Sequence, residues 1–168
     1  AVQLEGQVTL YAPRGQYQFM AQRAYLYGEG MLRQQYLALE KQLSAEGLFN
    51  QAVKKPLPPF PKTVAVISSP QAAGLQDFLK VMRQRYPICA IRLYPALVQG
   101  KQAAVSLCQA LQRASCDPGL DAIILCRGGG SMEDLWCFND PALIRAVYAC
   151  HIPVVSAIGH EIDHTLCD

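Results

Sequence analysis

From Thr63 onward, four short apolar runs alternate with longer stretches of helical periodicity. The runs are Val64–Ile67, Cys89–Leu93, Ala122–Cys126 and Pro153–Ile158. Strand and helix in strict alternation favour parallel pairing, because each strand must return to the same edge through a crossover. The predicted fold is α/β: an open parallel sheet with right-handed crossovers and helices on both faces. Ser69-Pro70 is expected to cap and start the first helix, whose core stripe is Leu75, Phe78, Leu79 and Met82. A second helix follows Gly100, with Ala104, Cys108 and Leu111 inward. Ser131-x-x-Asp134 has the form of a capping box, and Asn139-Asp140-Pro141 opens a further helix through about Cys150.

The front of the chain is different. Val8, Leu10 and Ala12 alternate up to Pro13-Arg14-Gly15, and Tyr17, Phe19 and Ala21 alternate after it, which predicts two strands around a turn within residues 6–27. A lone hairpin is barely stable in water, so these strands need partners. The chain starts inside this element, and the expectation is a piece of a longer protein. Leu32, Tyr36, Leu39 and Leu43 form one apolar stripe of a helix over 29–46, with Gly47 as its C-terminal cap. The proline-rich run Lys54–Pro61 reads as an extended connector. The expected organisation is therefore residues 1–28, a helix and linker over 29–62, and an α/β domain over 63–168.

Composition sets limits on function. Formal charge is only +2, so bulk electrostatics gives no argument for nucleic acid. Residues 1–62 carry seven Lys/Arg against four Asp/Glu, and residues 63–168 eight against nine, a mildly basic front and a near-neutral back. No apolar stretch approaches the ~18 residues of a membrane span, and no charged-then-apolar leader opens the sequence. The seven cysteines are scattered without a C-x-x-C pair. They read as free thiols, hence an expected cytoplasmic protein with no membrane association.

The chemistry gathers at the strand ends. Ser68-Ser69, Tyr94-Pro95, Arg127-Gly128-Gly129-Gly130-Ser131 and Gly159-His160 all point at one rim, where open α/β sheets bind ligands. Arginine offers a fixed fork of donors, and the backbone amides of Gly128, Gly129, Gly130 and Ser131 can approach an anion closely. The loop is neither a P-loop nor G-x-G-x-x-G. Arg127, following so apolar a strand, needs a partner: a bound anion, or an ion pair with Asp134 or Glu133. Asp163 lies three residues beyond His160, placed to orient the imidazole if a helix begins there. Asp77 is off the core stripe of its helix and by itself reads as a solvated carboxylate. His160-Glu161-Ile162-Asp163-His164 matches H-E-x-x-H. It follows a strand and a glycine rather than sitting mid-helix, so a zinc protease is not the expected reading.

Nearly the whole chain resembles the large subunit of bacterial exodeoxyribonuclease VII. The resemblance rests on Arg127–Asp140 and Ile152–Asp163 above all, with Ile67-Ser-Ser-Pro70, Tyr94-Pro95 and Val98-Gln-Gly100 in support. Gly6–Phe19 is similar to the end of that family's OB-fold. Gly28-Glu-Gly30, Ala45–Phe49 and Lys55–Pro58 are similar to its linker. The resemblance implies a nuclease that degrades single-stranded DNA from both ends to short 5′-phosphorylated oligonucleotides, in complex with small subunits. It implies Asp77, Arg127, His160 and Asp163 as catalytic residues. Arg127 and the glycine-loop amides would hold the phosphate, and His160 would act as acid or base beside Asp163. Asp77 would position water; Asp77 and Asp163 would be the Mg²⁺ ligands if a metal is used. Arg14 and Tyr17, with Tyr11 and Phe19, are the hairpin's candidates for DNA contact. Two departures stand out: Ala72-Ala73 replaces the usual Thr-Gly, and His164 replaces an apolar residue. Two other readings of the same residues are a nucleotide- or phosphosugar-binding module without cleavage, and a buried structural network of Arg127, His160 and Asp163.

Overall fold

The computed structural model describes residues 2–11, 15–26, 29–160 and 163–168. Two compact units are present, Ala1–Ala38 and Leu39–Asp168, with helix α1 (Glu29–Ala45) running across the division. In the first unit β1 (Val2–Tyr11) and β2 (Gln16–Leu26) pair antiparallel. A bulge falls between Glu5 and Gly6. Gly6 is required there, because a Cβ would run into the carbonyl of Met20. Val8 faces Phe19 and Leu10 faces Tyr17 across the ladder, and all four side chains are exposed. Directly opposed residues share a face, so the hairpin presents a continuous apolar strip. Ala12 and Arg14 lie outside the described residues.

The second unit holds a parallel sheet in the order β4-β3-β5-β6. Its strands are β3 (Thr63–Ser68), β4 (Ala90–Pro95), β5 (Ala122–Arg127) and β6 (Val154–Ile158). The alternation of β3 and β5 sorts the core. Ala65, Ile67, Ile123 and Leu125 face Leu107, Leu111, Phe138 and Leu143, from α3 (Ala103–Ser115), α5 (Pro141–Ala149) and the 3₁₀ turn Trp136–Asn139 just before α5. Val66 and Cys126 face Leu75, Phe78 and Leu79 of α2 (Ala73–Arg85) on the other side. Both faces are thus covered, as the alternation predicts. The chain travels from β3 to β4 over one face and from β4 to β5 over the other, as crossovers of one hand require when the direction reverses. The reversal makes the gap between the ends of β3 and β5 a topological switch point. Backbone pairing of β3 with β5 ends at Ile67 and Leu125. Just beyond it, the fully buried Ser68 donates its hydroxyl to the Cys126 carbonyl at 2.7 Å.

Local signals are read correctly in most places. Gly47 ends α1 with a φ of +79°, and Asp140 caps α5 by accepting from the Ala142 amide at 2.8 Å, with Pro141 in the first turn. Two expectations fail. Ser69-Pro70 does not start α2. The Ala72 amide bonds to the Ser69 carbonyl, closing a turn, and the Ser69 hydroxyl is spent on Gln71, so the helix begins at Ala73 without a side-chain cap. In α3 the buried positions are Ala103, Leu107, Ala110, Leu111 and Ala114, while Ala104 and Cys108 are only half-buried. Three alanines let this helix sit close on the sheet, and their small apolar surface hides the stripe from a reading weighted by side-chain size. Ser131 caps α4 (Met132–Leu135) from the Asp134 amide at 3.2 Å, but the reciprocal bond goes to the Ser131 hydroxyl rather than its amide. Aspartate is one methylene shorter than the usual glutamate of the box. Among the described residues no helix is long and apolar enough to cross a membrane.

Candidate active site

A cleft of about 430 Å³ opens at the switch point, lined by Ser69–Gly74 (except Pro70), Leu97–Gln99 and Arg127–Gly129. These are the loops after β3, β4 and β5. Among the described residues no acidic side chain lines it. The uncapped first turn of α2 borders it, with the partial positive charge of a helix N-terminus. Gly74 lets that turn pack against the glycine loop: a Cβ there would lie 2.8 Å from the Gly128 nitrogen. Tyr94 and Pro95 reach the same rim but not the cleft. The Tyr94 hydroxyl is bonded to Asp117, and both burial and that carboxylate push its ionisation up.

Arg127 is the last residue of β5 and only 8% exposed. Its guanidinium curls back over its own loop. One terminal nitrogen donates to the Gly128 carbonyl at 2.8 Å and to the Gly129 carbonyl; the other donates to Oε1 of Gln99 at 3.1 Å. Every acceptor is neutral. Among the described residues no carboxylate comes within 4.0 Å of it, and Asp134 is engaged with Ser131 instead. The expected alternative, an ion pair with Asp134 or Glu133, is therefore not formed. A buried cation oriented by neutral oxygens keeps its whole charge for an anion from outside. The amides of Gly128, Gly129, Gly130 and Ser131 make no hydrogen bond to any described residue, so they too remain open.

His160 follows β6 across Gly159, whose φ of +74° only glycine adopts readily. The Gly159 amide bonds the Arg127 carbonyl at 3.0 Å, which joins the two strand ends. The Asp163 carboxylate accepts from the His160 amide at 2.8 Å, and its Oδ2 lies 3.4 Å from Nδ1 of the imidazole. The imidazole is 76% exposed and the carboxylate side chain 20%. This is no buried ion-pair network, so the structural reading of the three residues has no support in their placement. The glycines explain themselves by what stands next to them. A Cβ on Gly129 would strike the His160 ring, one on Gly130 the Arg127 guanidinium, and one on Gly159 the Asp163 carboxylate, with Oδ2 at 2.6 Å.

Asp77 is exposed on α2 and joins none of these contacts. It lies three residues from Gly74, on the same helix face and ~4.5 Å further along the axis. Ser131 is held as the cap of α4, outside the cleft lining. Tyr17 is on β2 in the first unit, 82% exposed. Among the described residues no three His, Cys, Asp or Glu side chains gather to hold a metal. Gln99 and Gly74 were missed as site residues by sequence reasoning. Gln99 sits inside the Val98-Gln-Gly100 block but carries no charge to draw attention, and Gly74 read as an ordinary helix residue.

Residues 48–168 match the family model described as exonuclease VII, large subunit. The exodeoxyribonuclease 7 large subunit of Pasteurella multocida is 46% identical over 99% of this chain, which spans 38% of that protein. Its counterpart in Geobacillus kaustophilus is 44% identical over 97% of the chain, spanning 36% of that protein. The one in Campylobacter fetus is 46% identical over 99%, spanning 43%. The chain thus covers well under half the length of these relatives. With most of its length matched by the family model, and its whole length by these relatives, the chain belongs to the exonuclease VII large subunit family.

Proposed function

We propose that the rim around Arg127 and His160 hydrolyses phosphodiester bonds of single-stranded DNA, within a complete large subunit joined to small subunits. The observation that carries this is Arg127: a nearly buried cation with no carboxylate partner among the described residues, ringed by open amides and adjoining an exposed histidine. In this reading the phosphate sits on the guanidinium and the amides of Gly128 to Ser131, which stabilise charge as it develops on the phosphoryl oxygens. Asp163 holds the imidazole through Nδ1, leaving Nε2 to exchange a proton with water or the leaving group. Water adds to phosphorus and the P–O3′ bond breaks, leaving a 3′-hydroxyl and a 5′-phosphate. Asp77, one turn down the face of Gly74, positions the water. Both chain directions are degraded, to short oligonucleotides.

The hairpin is read as the last strands of an OB-fold over residues 1–28, with Arg14 and Tyr17 as its DNA contacts. Residues 29–62 are the linker and 63–168 the catalytic domain. The protein acts in the cytoplasm, where its cysteines stay reduced.

The test uses the full-length large subunit with its small subunits, on 5′- and 3′-labelled single-stranded DNA, with and without EDTA. Degradation by wild type and none by an Arg127→Ala, His160→Ala variant of unchanged melting temperature is the expected result. Equal degradation by that variant would place the chemistry elsewhere and leave a phosphate-binding module. Loss of activity in EDTA would show that a metal takes part.

A further inference from the structure

We infer that Gln99 is a positioning residue: it aims Arg127 while leaving its charge unneutralised. The inference rests on the nuclease reading of the Arg127–His160 site and goes further, to a residue which that reading does not use.

Gln99 is exposed, yet the loop that carries it is fixed at several points. The Ala96 amide donates to the Ser68 carbonyl at 3.0 Å, and the Leu97 amide to the Ser106 hydroxyl at 3.0 Å. Val98 is buried in the larger core, and its carbonyl lies 3.6 Å from the Cys137 thiol, which donates to it. Gly100 then turns the chain at a φ of +86°. A side chain held from such a loop has a defined origin, although it stands in solvent.

That side chain reaches across the cleft to the one terminal nitrogen of Arg127 not used by the glycine carbonyls. Arginine has only donors, so the amide oxygen must face the guanidinium and the amide nitrogen must face away. The choice of an amide is informative. A carboxylate at this position would bind the guanidinium more strongly, in the bidentate geometry arginine favours. It would also cancel the charge that the phosphate needs. Alanine would leave the terminal nitrogen free to swing.

Purely structural support and positioning make opposite predictions for Gln99→Glu. As a structural prop, glutamate is the better acceptor, and activity should hold or rise. As a device for aiming a bare cation, it should stabilise the fold and silence the site. The experiment measures kcat, KM and melting temperature for full-length large subunit with small subunits on single-stranded DNA, comparing wild type, Gln99→Ala, Gln99→Glu and Arg127→Ala. Gln99→Ala should lower kcat/KM about tenfold, the effect of one hydrogen bond to a charged group. Gln99→Glu should lower it about a hundredfold at a melting temperature equal to or above wild type, and its ratio to wild type should climb as pH falls and the new carboxyl gains a proton. Should Gln99→Glu melt lower, the Gln99→Ala ratio decides. Gln99 variants matching wild type while Arg127→Ala is inactive would overturn the inference and spare the nuclease reading. Arg127→Ala as active as wild type would overturn both.

Discussion

The imidazole of His160 occupies the space that a Cβ on Gly129 would fill, so the glycine loop and the histidine are packed directly against each other. Gly129 and Gly130 do not have positive φ, so a left-handed backbone is not what calls for glycine there. What excludes a side chain is the ring on one side and the guanidinium on the other. Gly129→Ala in the full-length protein should displace His160 and reduce cleavage about a hundredfold, the scale of a 1 Å misplacement at a reacting centre. Gly119 is the contrast, with a φ of +83° and open space around it. Gly119→Ala should cost about 1 kcal/mol of stability and leave cleavage intact. Melting curves and rates measured on both variants check the distinction. Wild-type cleavage by Gly129→Ala would mean that the histidine is not used where it stands.

Arg127→Lys keeps the charge but loses the fork. A single ammonium cannot bond the carbonyls of Gly128 and Gly129 and the Gln99 amide in the same geometry. Cleavage should fall by about two orders of magnitude, as when an oxyanion-stabilising donor is removed. A lysine variant with wild-type kcat/KM would show that only the charge matters.

Stability should fall on the acid side for an identifiable reason. Asp121 accepts from the Lys62 and Thr63 amides at 2.6 and 2.9 Å, and those bonds hold its carboxyl below the usual aspartate range. Asp117 is held low by the Tyr94 hydroxyl first and Arg92 second. A depressed folded value means the ionised group stabilises the fold above its unfolded titration. That contribution disappears as pH falls through the lower, folded one. Melting temperature should therefore drop below the ordinary aspartate range, and Asp121→Asn should lower it at neutral pH and flatten the acid slope. An unchanged slope in that variant would remove Asp121 as a cause.

Thiol chemistry gives a further check. Cys116 is exposed, whereas Cys89, Cys126 and Cys150 are buried. Burial pushes the Cys126 thiol up, and pushes Cys137 up to about 11 despite the neighbouring Arg127 charge. A maleimide at neutral pH should label Cys116 first and reach Cys89, Cys126 and Cys150 only in denaturant. Mass spectrometry of the labelled peptides reads the order directly; early labelling of Cys126 would mean that the β5 end opens in solution.

Much of this was legible because period and punctuation agree. The apolar runs of β3 and β5 are buried on both sides of a parallel sheet, and the Asp140-Pro141 and Gly47 signals sit where backbone geometry needs them. The failures come from competition. The Ser69 hydroxyl had a nearer partner in Gln71, and three alanines on α3 outweighed larger neighbours. Arg127 and His160 could be placed at one rim because one ends a strand and the other follows one across a glycine. Gln99 could not, because an uncharged residue in a loop announces nothing until its partner is seen.

Ser68 has a consequence for the cleft itself. Its hydroxyl takes over from the backbone ladder one residue past the last β3–β5 pair, at the point where the two strands part. The Cys126 carbonyl would otherwise be left dry and unmatched by the divergence. A side chain thus bridges the two strands at the root of the notch and satisfies what their separation exposes. Under the proposed function, an arriving phosphate would meet an opening already formed, and little of its binding would be lost to shaping the walls.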